Sequence, residues 1–351
     1  MNESLLHRGA AALTDWYRTH NRPLPWRQSP TPYRVWVSEI MLQQTRVEAV
    51  RPYFDRFITA LPDVFALANA KEETLLKLWE GLGYYRRVHY LQRAAKEVVN
   101  RYGGVIPSAY EQLRSLPGIG DYTAGAIASI AYGAPRAAVD GNVLRVITRL
   151  CGDYRDIGSL SIKREITAAL EQIYPIGRCG DFTQSLMELG ATVCLPNGAP
   201  HCKECPLHED CIAYLQNCTD ELPVKKPKKE RQVFSYLVLI LKRDGKIAIR
   251  KRTAEGLLHR LWELPNRAGL ADAAAAKAYA EELGVMPKSV QCGRSAKHVF
   301  THVEWRMTSY VVMCGAAGDA SLCWVTPGEL EENYGLPSAF RYFSAAWQKK
   351  D

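Results

Sequence analysis

Residues 115–150 read SLPGIGDYTAGAIASIAYGAPRAAVDGNVLRVITRL, and the rest of the chain is organised around them. Leu116-Pro117-Gly118-Ile119-Gly120 spells a tight turn between two helical patterns. Gly118 and Gly120 lack a Cβ, so the turn can take positive φ and a phosphate can approach its backbone. Tyr122 to Tyr132 reads as a small-residue helix. Its first amides are unpaired donors at the positive end of the helix dipole. Such a turn can hold a backbone phosphate without reading sequence, or it can be a plain helix–helix connection.

Val139-Asp140-Gly141-Asn142-Val143 sets a carboxylate at the start of the next helix, where Val143, Leu144, Val146, Ile147 and Leu150 keep helical spacing. Asp140 suits an N-cap. It also suits a buried carboxylate facing a developing positive charge, and the two roles are compatible.

A chain of 351 residues has room for two or three domains and a sizeable core. Its 47% hydrophobic and 23% charged residues describe a globular protein rather than a disordered one. A net charge of +8 and a pI near 8.9 suit a polyanionic partner without requiring one. Residues 1–20 lack the apolar core of a signal peptide, and no apolar run approaches a membrane span. An intracellular, cytoplasmic protein with no membrane partner is therefore expected.

The first 215 or so residues are helical in pattern, with helices expected at 3–19, 35–45, 47–60, 63–69, 72–80, 87–102, 161–173 and 181–193. Glu221 to Gln232, ELPVKKPKKERQ, has the proline and lysine content of an interdomain linker. Its basic run reads as a solvated tether before a DNA contact. From 233 the period changes to that of strands: a hairpin over 233–250 turning at Asp244-Gly245, a helix at 271–283, and strands at 296–301, 304–313 and 322–325. That is an α+β domain following an all-α one.

Ten cysteines include four in one cluster, Cys194-x7-Cys202-x2-Cys205-x5-Cys211, and six scattered ones. In a reducing compartment this reads as one metal site plus free thiols. Structural zinc and a [4Fe–4S] cluster both accept four thiolates. The single CxxC and uneven spacing favour the cluster. Lys203, His201 and His208 lie in or beside this loop and could present charge to a phosphate.

RPLPWR at 22–27, SEIMLQQT at 38–45, GLGYY at 81–85, LPGIGDYTAG at 116–125, VDGNV at 139–143 and the four cysteines occur in order. Together they resemble the MutY adenine DNA glycosylases of the helix–hairpin–helix superfamily, strongly over residues 5–220 and more loosely beyond. The resemblance implies a helical glycosylase domain over 1–220, with the helix–hairpin–helix at about 110–130 and an iron–sulfur loop at 194–211. A linker at 221–232 and a Nudix-like lesion-recognition domain at 233–351 would follow. The implied partner is double-stranded DNA carrying 8-oxoguanine:adenine or guanine:adenine mispairs, bound by a monomer in the bacterial nucleoid. The implied reaction is hydrolysis of adenine's N-glycosidic bond.

By the same resemblance, Glu39 is the general acid that protonates adenine at N7. Apolar Ile40, Met41 and Leu42 beside it favour burial and a raised pKa. Asp140 would stabilise an oxocarbenium-like sugar, in the two-carboxylate logic of glycoside hydrolysis. Asn142 and Tyr122 would orient these groups. Endonuclease III-like relatives carry a lysine where Tyr122 stands, and that amine makes them lyases; tyrosine implies a monofunctional enzyme. Gln44 and Thr45 would intrude at the lesion pair, Leu82 and Tyr84 would wedge the stack, Trp26, Arg27 and Glu188 would line the adenine pocket, and Arg22 would be among the substrate- or DNA-binding residues. Gly118 and Gly120 would grip the backbone, and Cys194, Cys202, Cys205 and Cys211 would hold a [4Fe–4S] cluster.

Gly256 to Pro265, GLLHRLWELP, resembles the opening of a Nudix fold and Ala280 to Val285, AEELGV, its helix. Lys277-Ala278 stands where Arg-Glu belongs and Asn266-Arg267 replaces the usual glycine pair. Phosphohydrolase activity, which needs carboxylates around Mg²⁺, is expected to be lost. Phe300-Thr301-His302 stands where the family's recognition loop has Phe-Ser-His. Two further departures are the first cysteine gap, one residue longer than the family's usual one, and Asp121, an acid on the phosphate-facing hairpin. A pyrimidine-lesion glycosylase/lyase and a non-catalytic damage binder are the competing readings. Tyr122 and the C-terminal domain disfavour the first; the presence of both Glu39 and Asp140 disfavours the second.

Overall fold

The structure is a computed structural model that describes residues 3–226, 230–253 and 256–348. Residues 227–229 of the expected linker therefore lie outside the described residues, as do the last three residues of the expected C-terminal domain. The chain divides into two compact units: residues 1–70 with 86–227, and residues 71–85 with 228–351.

The first unit is helical throughout. Pro32–Leu42 starts with proline in its first turn, where no amide is lost. Thr31 Oγ1 caps it by accepting from Arg34 N at 3.3 Å. The helix stops at Leu42 rather than running to Thr45, because Gln44 takes a left-handed φ of 58° that no α-helix accommodates. Asp121–Ala126 gives way to a π-helical turn over Ile127–Ala131 where one continuous helix is expected. Gly141–Cys151 is capped by Asp140 as the sequence suggests.

One core of this unit packs Glu3–His20, Gly141–Cys151, Leu160–Glu171 and Cys179–Thr192 through Leu13, Val143, Ile147, Ile166, Phe182 and Leu186. Gly190 lets two of these helices approach: a Cβ there would lie 2.6 Å from Asn142 Cβ. The start of Gly141–Cys151 is thereby set against Cys179–Thr192.

The second unit is a mixed sheet with helices on both faces. Its strands are β1 (Gln232–Arg243), β2 (Lys246–Lys251), β3 (Trp262–Glu263), β4 (Asn266–Ala268), β5 (Pro287–Val299), β6 (Val303–Cys314) and β7 (Cys323–Val325), in the order β3-β2-β1-β6-β5, with β4 on β1 and β7 on β2. β1 and β6 run parallel, whereas β1–β2 and β5–β6 are antiparallel. Asp244 and Gly245 both have positive φ, as a two-residue hairpin turn requires. Along β1, Val238 and Ile240 face a core with Trp305, Phe340 and Phe343, while Leu237, Leu239 and Leu241 face one with Ala280 and Val312. With both faces covered, the strand reads as one apolar run.

β5 begins at Pro287, well before the expected 296, and ends at Val299. Phe300, Thr301 and His302 form the turn into β6, closed by Phe300 N donating to Val303 O at 2.8 Å. Residues 71–85 belong with this unit through Glu80, which pairs with Arg341 at 2.5 Å and accepts from Leu336 N at 3.1 Å. Among the described residues, no helix is long and apolar enough to cross a membrane.

Candidate active site

Glu39 lies in the last turns of Pro32–Leu42 with only 5% of its surface exposed. Tyr122 Oη donates to Glu39 Oε2 at 2.6 Å and stands 3.7 Å from Met187 Sδ. Burial raises the Glu39 carboxyl from its ordinary value of 4.5 to about 7, against the Tyr122 bond and with help from the nearby Asp140 charge. Burial also pushes the Tyr122 hydroxyl well above its usual range, so it stays a donor.

Asp140 is the N-cap of its helix, accepting from Val143 N at 2.8 Å through Oδ1. Its other oxygen accepts from Asn142 Nδ2 at 2.8 Å. Burial raises its pKa too, opposed by the Val143 amide, Asn142 and Arg145. Two carboxyls from segments a hundred residues apart thus share one site, with Tyr122 held against the first and Asn142 against the second. The titration of Glu39 feels Asp140 directly.

A third acid sits close by. Glu188 is fully buried and accepts from Arg22 Nε at 2.7 Å, Arg22 Nη2 at 3.0 Å, the Arg22 amide at 3.0 Å and Arg27 Nη2 at 2.8 Å. Burial alone would raise its pKa, but the two guanidiniums overcome that and hold it at about 2. Arg27 also lowers the Glu39 pKa, which ties this cluster to the first. Trp26, next to Arg27 in the chain, is buried with its ring edge-on to Phe54 at 5.3 Å.

At the hairpin, Gly118 has φ 77° as expected, and a Cβ there would meet Tyr90 Cβ at 2.7 Å. Gly120 departs from expectation. It is extended at φ −95°, as the N-cap of the following helix, so the turn needs only one left-handed residue. Asp121 is neutralised by Arg114 Nη1 at 2.5 Å and accepts from Tyr110 Oη at 3.3 Å.

Gln44 is exposed and Thr45 partly so. In the second unit Leu82 is buried, whereas Tyr84 is 47% exposed at φ 50°. The Tyr84 and Thr301 hydroxyls are hydrogen-bonded at 3.1 Å. Phe300 packs on Trp305 at 4.9 Å, and His302 is exposed. Arg267 pairs with Glu282 at 2.8 Å and Lys277 with Glu281 at 3.9 Å, so cations accompany both remaining Nudix-type carboxylates.

Cys194, Cys202, Cys205 and Cys211 all line one small cavity of about 30 Å³ together with Leu207 and His208. Burial pushes the Cys205 thiol up to about 12 and the Cys211 thiol to about 11. Arg149 Nη1 donates to Cys194 Sγ at 3.3 Å. Four soft donors around one cavity, three of them with thiols pushed up by burial that a cation would offset, fit a thiolate-bound metal group. As placed, no three metal-binding side chains among the described residues close on a single ion.

Arg145 and Arg149 escape the sequence reading, although both are buried on the apolar face of Gly141–Cys151. Arg145 donates to Asn142 Oδ1 at 2.9 Å, Gly190 O at 2.7 Å and Cys194 O at 2.8 Å. The available signal was two arginines four residues apart inside an apolar run, which needs buried partners.

The sequence of residues 37–173 matches the HhH-GPD superfamily of base excision DNA repair proteins, and residues 236–346 match the NUDIX domain. The adenine DNA glycosylase of Buchnera aphidicola subsp. Acyrthosiphon pisum (strain APS) is 35% identical over 254 residues, covering 72% of each chain. That of Schizosaccharomyces pombe (strain 972 / ATCC 24843) is 31% identical, covering 91% of this chain and 85% of its own. The solved structure of a thermostable thymine-DNA glycosylase is similar with a TM-score of 0.52 at 28% identity, over 59% of this chain and 95% of that one. The chain belongs to the adenine DNA glycosylases, DNA N-glycosylases of base excision repair that join a helix–hairpin–helix core to a C-terminal NUDIX domain.

Proposed function

We propose that this enzyme removes adenine paired with 8-oxoguanine or guanine by general acid catalysis, without cleaving the strand. The observation that carries the mechanism is Glu39, buried, bonded to Tyr122 at 2.6 Å and raised to about 7 beside Asp140. An acid with that pKa keeps about half its population protonated at pH 7 and is still able to give its proton away. Protonation of adenine at N7 makes the base a neutral leaving group. As the glycosidic bond breaks, positive charge grows on the sugar and ionised Asp140 stabilises it, held in place by the Val143 amide and Asn142. Water completes the hydrolysis. Tyr122 has no amine, so no Schiff base forms at the hairpin.

The target adenine leaves the stack before any of this. In this reading Gln44 and Thr45 enter the duplex at the lesion pair, Leu82 and Tyr84 wedge the neighbouring bases, and Gly118 and Gly120 hold the backbone. Trp26, Arg27 and Glu188 line the adenine pocket, with Arg22 fixing Glu188. Residues 1–220 carry this chemistry, and residues 233–351 read the oxidised guanine through Phe300, Thr301 and His302. The enzyme acts as a monomer. Cys194, Cys202, Cys205 and Cys211 would hold a [4Fe–4S] cluster, which when bound cross-links the loop as a structural clasp.

Glu39→Gln tests the assignment. It should abolish excision while leaving mispair binding intact; loss of binding as well would make Glu39 a structural residue.

A further inference from the structure

We propose that Arg87 is a positioning residue that holds the Gln43–Thr45 turn in its reactive shape. The proposal rests on the reading of that turn as the part that enters the duplex. Arg87 Nη1 donates to Ile40 O at 2.9 Å, Met41 O at 2.8 Å and Gln43 O at 2.5 Å. Nη2 donates to Thr45 Oγ1 at 3.2 Å. These carbonyls lie at the C-terminal end of Pro32–Leu42, where the last four have no partner within the helix. A cation there also meets the negative end of the helix dipole.

The bonds to Gln43 and Thr45 straddle Gln44, an exposed residue held at φ 58°. A non-glycine residue keeps that conformation only when its surroundings over-determine it. One planar guanidinium grips the chain on both sides of Gln44 and provides that constraint. Gln43 adds a second tie, donating through Nε2 to Thr123 Oγ1 at 3.4 Å. Arg87 itself is fixed at the start of Arg86–Tyr102, whose Tyr90 packs against Gly118 of the hairpin. One helix thus supports both the strained turn and the hairpin turn. A lysine has a single nitrogen and cannot reproduce the fork.

The test uses the full-length protein and a duplex with one 8-oxoguanine:adenine pair and 2-aminopurine stacked beside the adenine, whose fluorescence rises on unstacking. For Arg87→Ala, single-turnover excision should fall about tenfold or more and the fluorescence rise should be lost. The pH at which the rate halves should stay where it is in the unmodified enzyme, because the bonds given above run from Arg87 to Ile40, Met41, Gln43 and Thr45. Arg87→Lys and Thr45→Val should show smaller losses in both readouts. Unchanged fluorescence in a folded Arg87→Ala protein, or a displaced pH profile, would overturn the proposal. If Arg87→Ala does not fold, unchanged fluorescence in both milder variants would overturn it instead. A wild-type enzyme that excises adenine with no fluorescence rise would defeat the reading of the turn, and the proposal with it.

Discussion

The Tyr122 hydroxyl donates to Glu39 Oε2 across 2.6 Å, joining the first helix beyond the hairpin to the helix that carries the acid. Because burial holds Tyr122 far above its usual titration range, its hydroxyl stays protonated and donates to Glu39 Oε2. The Glu39 carboxyl is thus held from the hairpin side.

The first consequence concerns pH. With Glu39 titrating near 7, excision under single-turnover conditions should fall about tenfold per unit above that value, and fall again at acid pH where Asp140, itself raised by burial, takes up its proton. An alkaline-side fall that starts near the ordinary carboxylate value would remove Glu39 from the role of acid.

Stability should carry the same signature. Glu39 titrates near 4.5 in the unfolded chain and near 7 in the fold, so the folded state holds more protons across that window. The stability it confers is fully present below 4.5 and is lost as pH rises through 7, by roughly 3 kcal/mol. Glu39→Gln cannot ionise. Its thermal midpoint should therefore gain on that of the unmodified protein between pH 5 and pH 8, and a constant difference would mean that Glu39 is not buried as described.

Asp140 caps its helix, and in the proposed mechanism it also stabilises the sugar cation; substitution separates the two roles. Asparagine caps helices about as well as aspartate, so Asp140→Asn should fold with little change in thermal midpoint. Its excision rate should fall by about a hundredfold to a thousandfold, the scale of losing one electrostatic stabiliser of a transition state. A large loss of stability with little loss of rate would reduce Asp140 to its cap.

The hairpin and helices around this site were legible because their signals are local. Pro117 and Gly118 mark the turn, and Val143, Ile147 and Leu150 repeat at helical spacing before a glycine stop at Gly152. What escaped depends on distant partners. Arg145 and Arg149 look like surface residues until Cys194, Leu195 and Leu222 supply their acceptors. Gln44 reads as helical until Arg87 pins the turn around it. Residues 71–85 join the C-terminal unit through Glu80 and Arg341, a pairing across most of the chain. Phe300-Thr301-His302 was placed at a strand end, but the sequence carries no glycine or proline there to mark the turn they form.

Thr301 and Tyr84 offer a test of lesion reading. Their hydroxyls are bonded at 3.1 Å, so each fixes the other's rotamer. Thr301→Ala should lower the preference for 8-oxoguanine over guanine by about two- to tenfold, the scale of one hydrogen bond, and Tyr84→Phe should lower it in the same direction. An unchanged preference in both would place recognition elsewhere.

Base removal by an acid and a carboxylate, without an amine nucleophile, is separated from lyase chemistry by one assay. The enzyme is incubated in single-turnover conditions with a duplex carrying one 8-oxoguanine:adenine pair, and strand breaks are compared with and without alkali. The account predicts breaks only after alkali treatment, at the adenine strand. Breaks without alkali, or a borohydride-trapped covalent adduct, would contradict it.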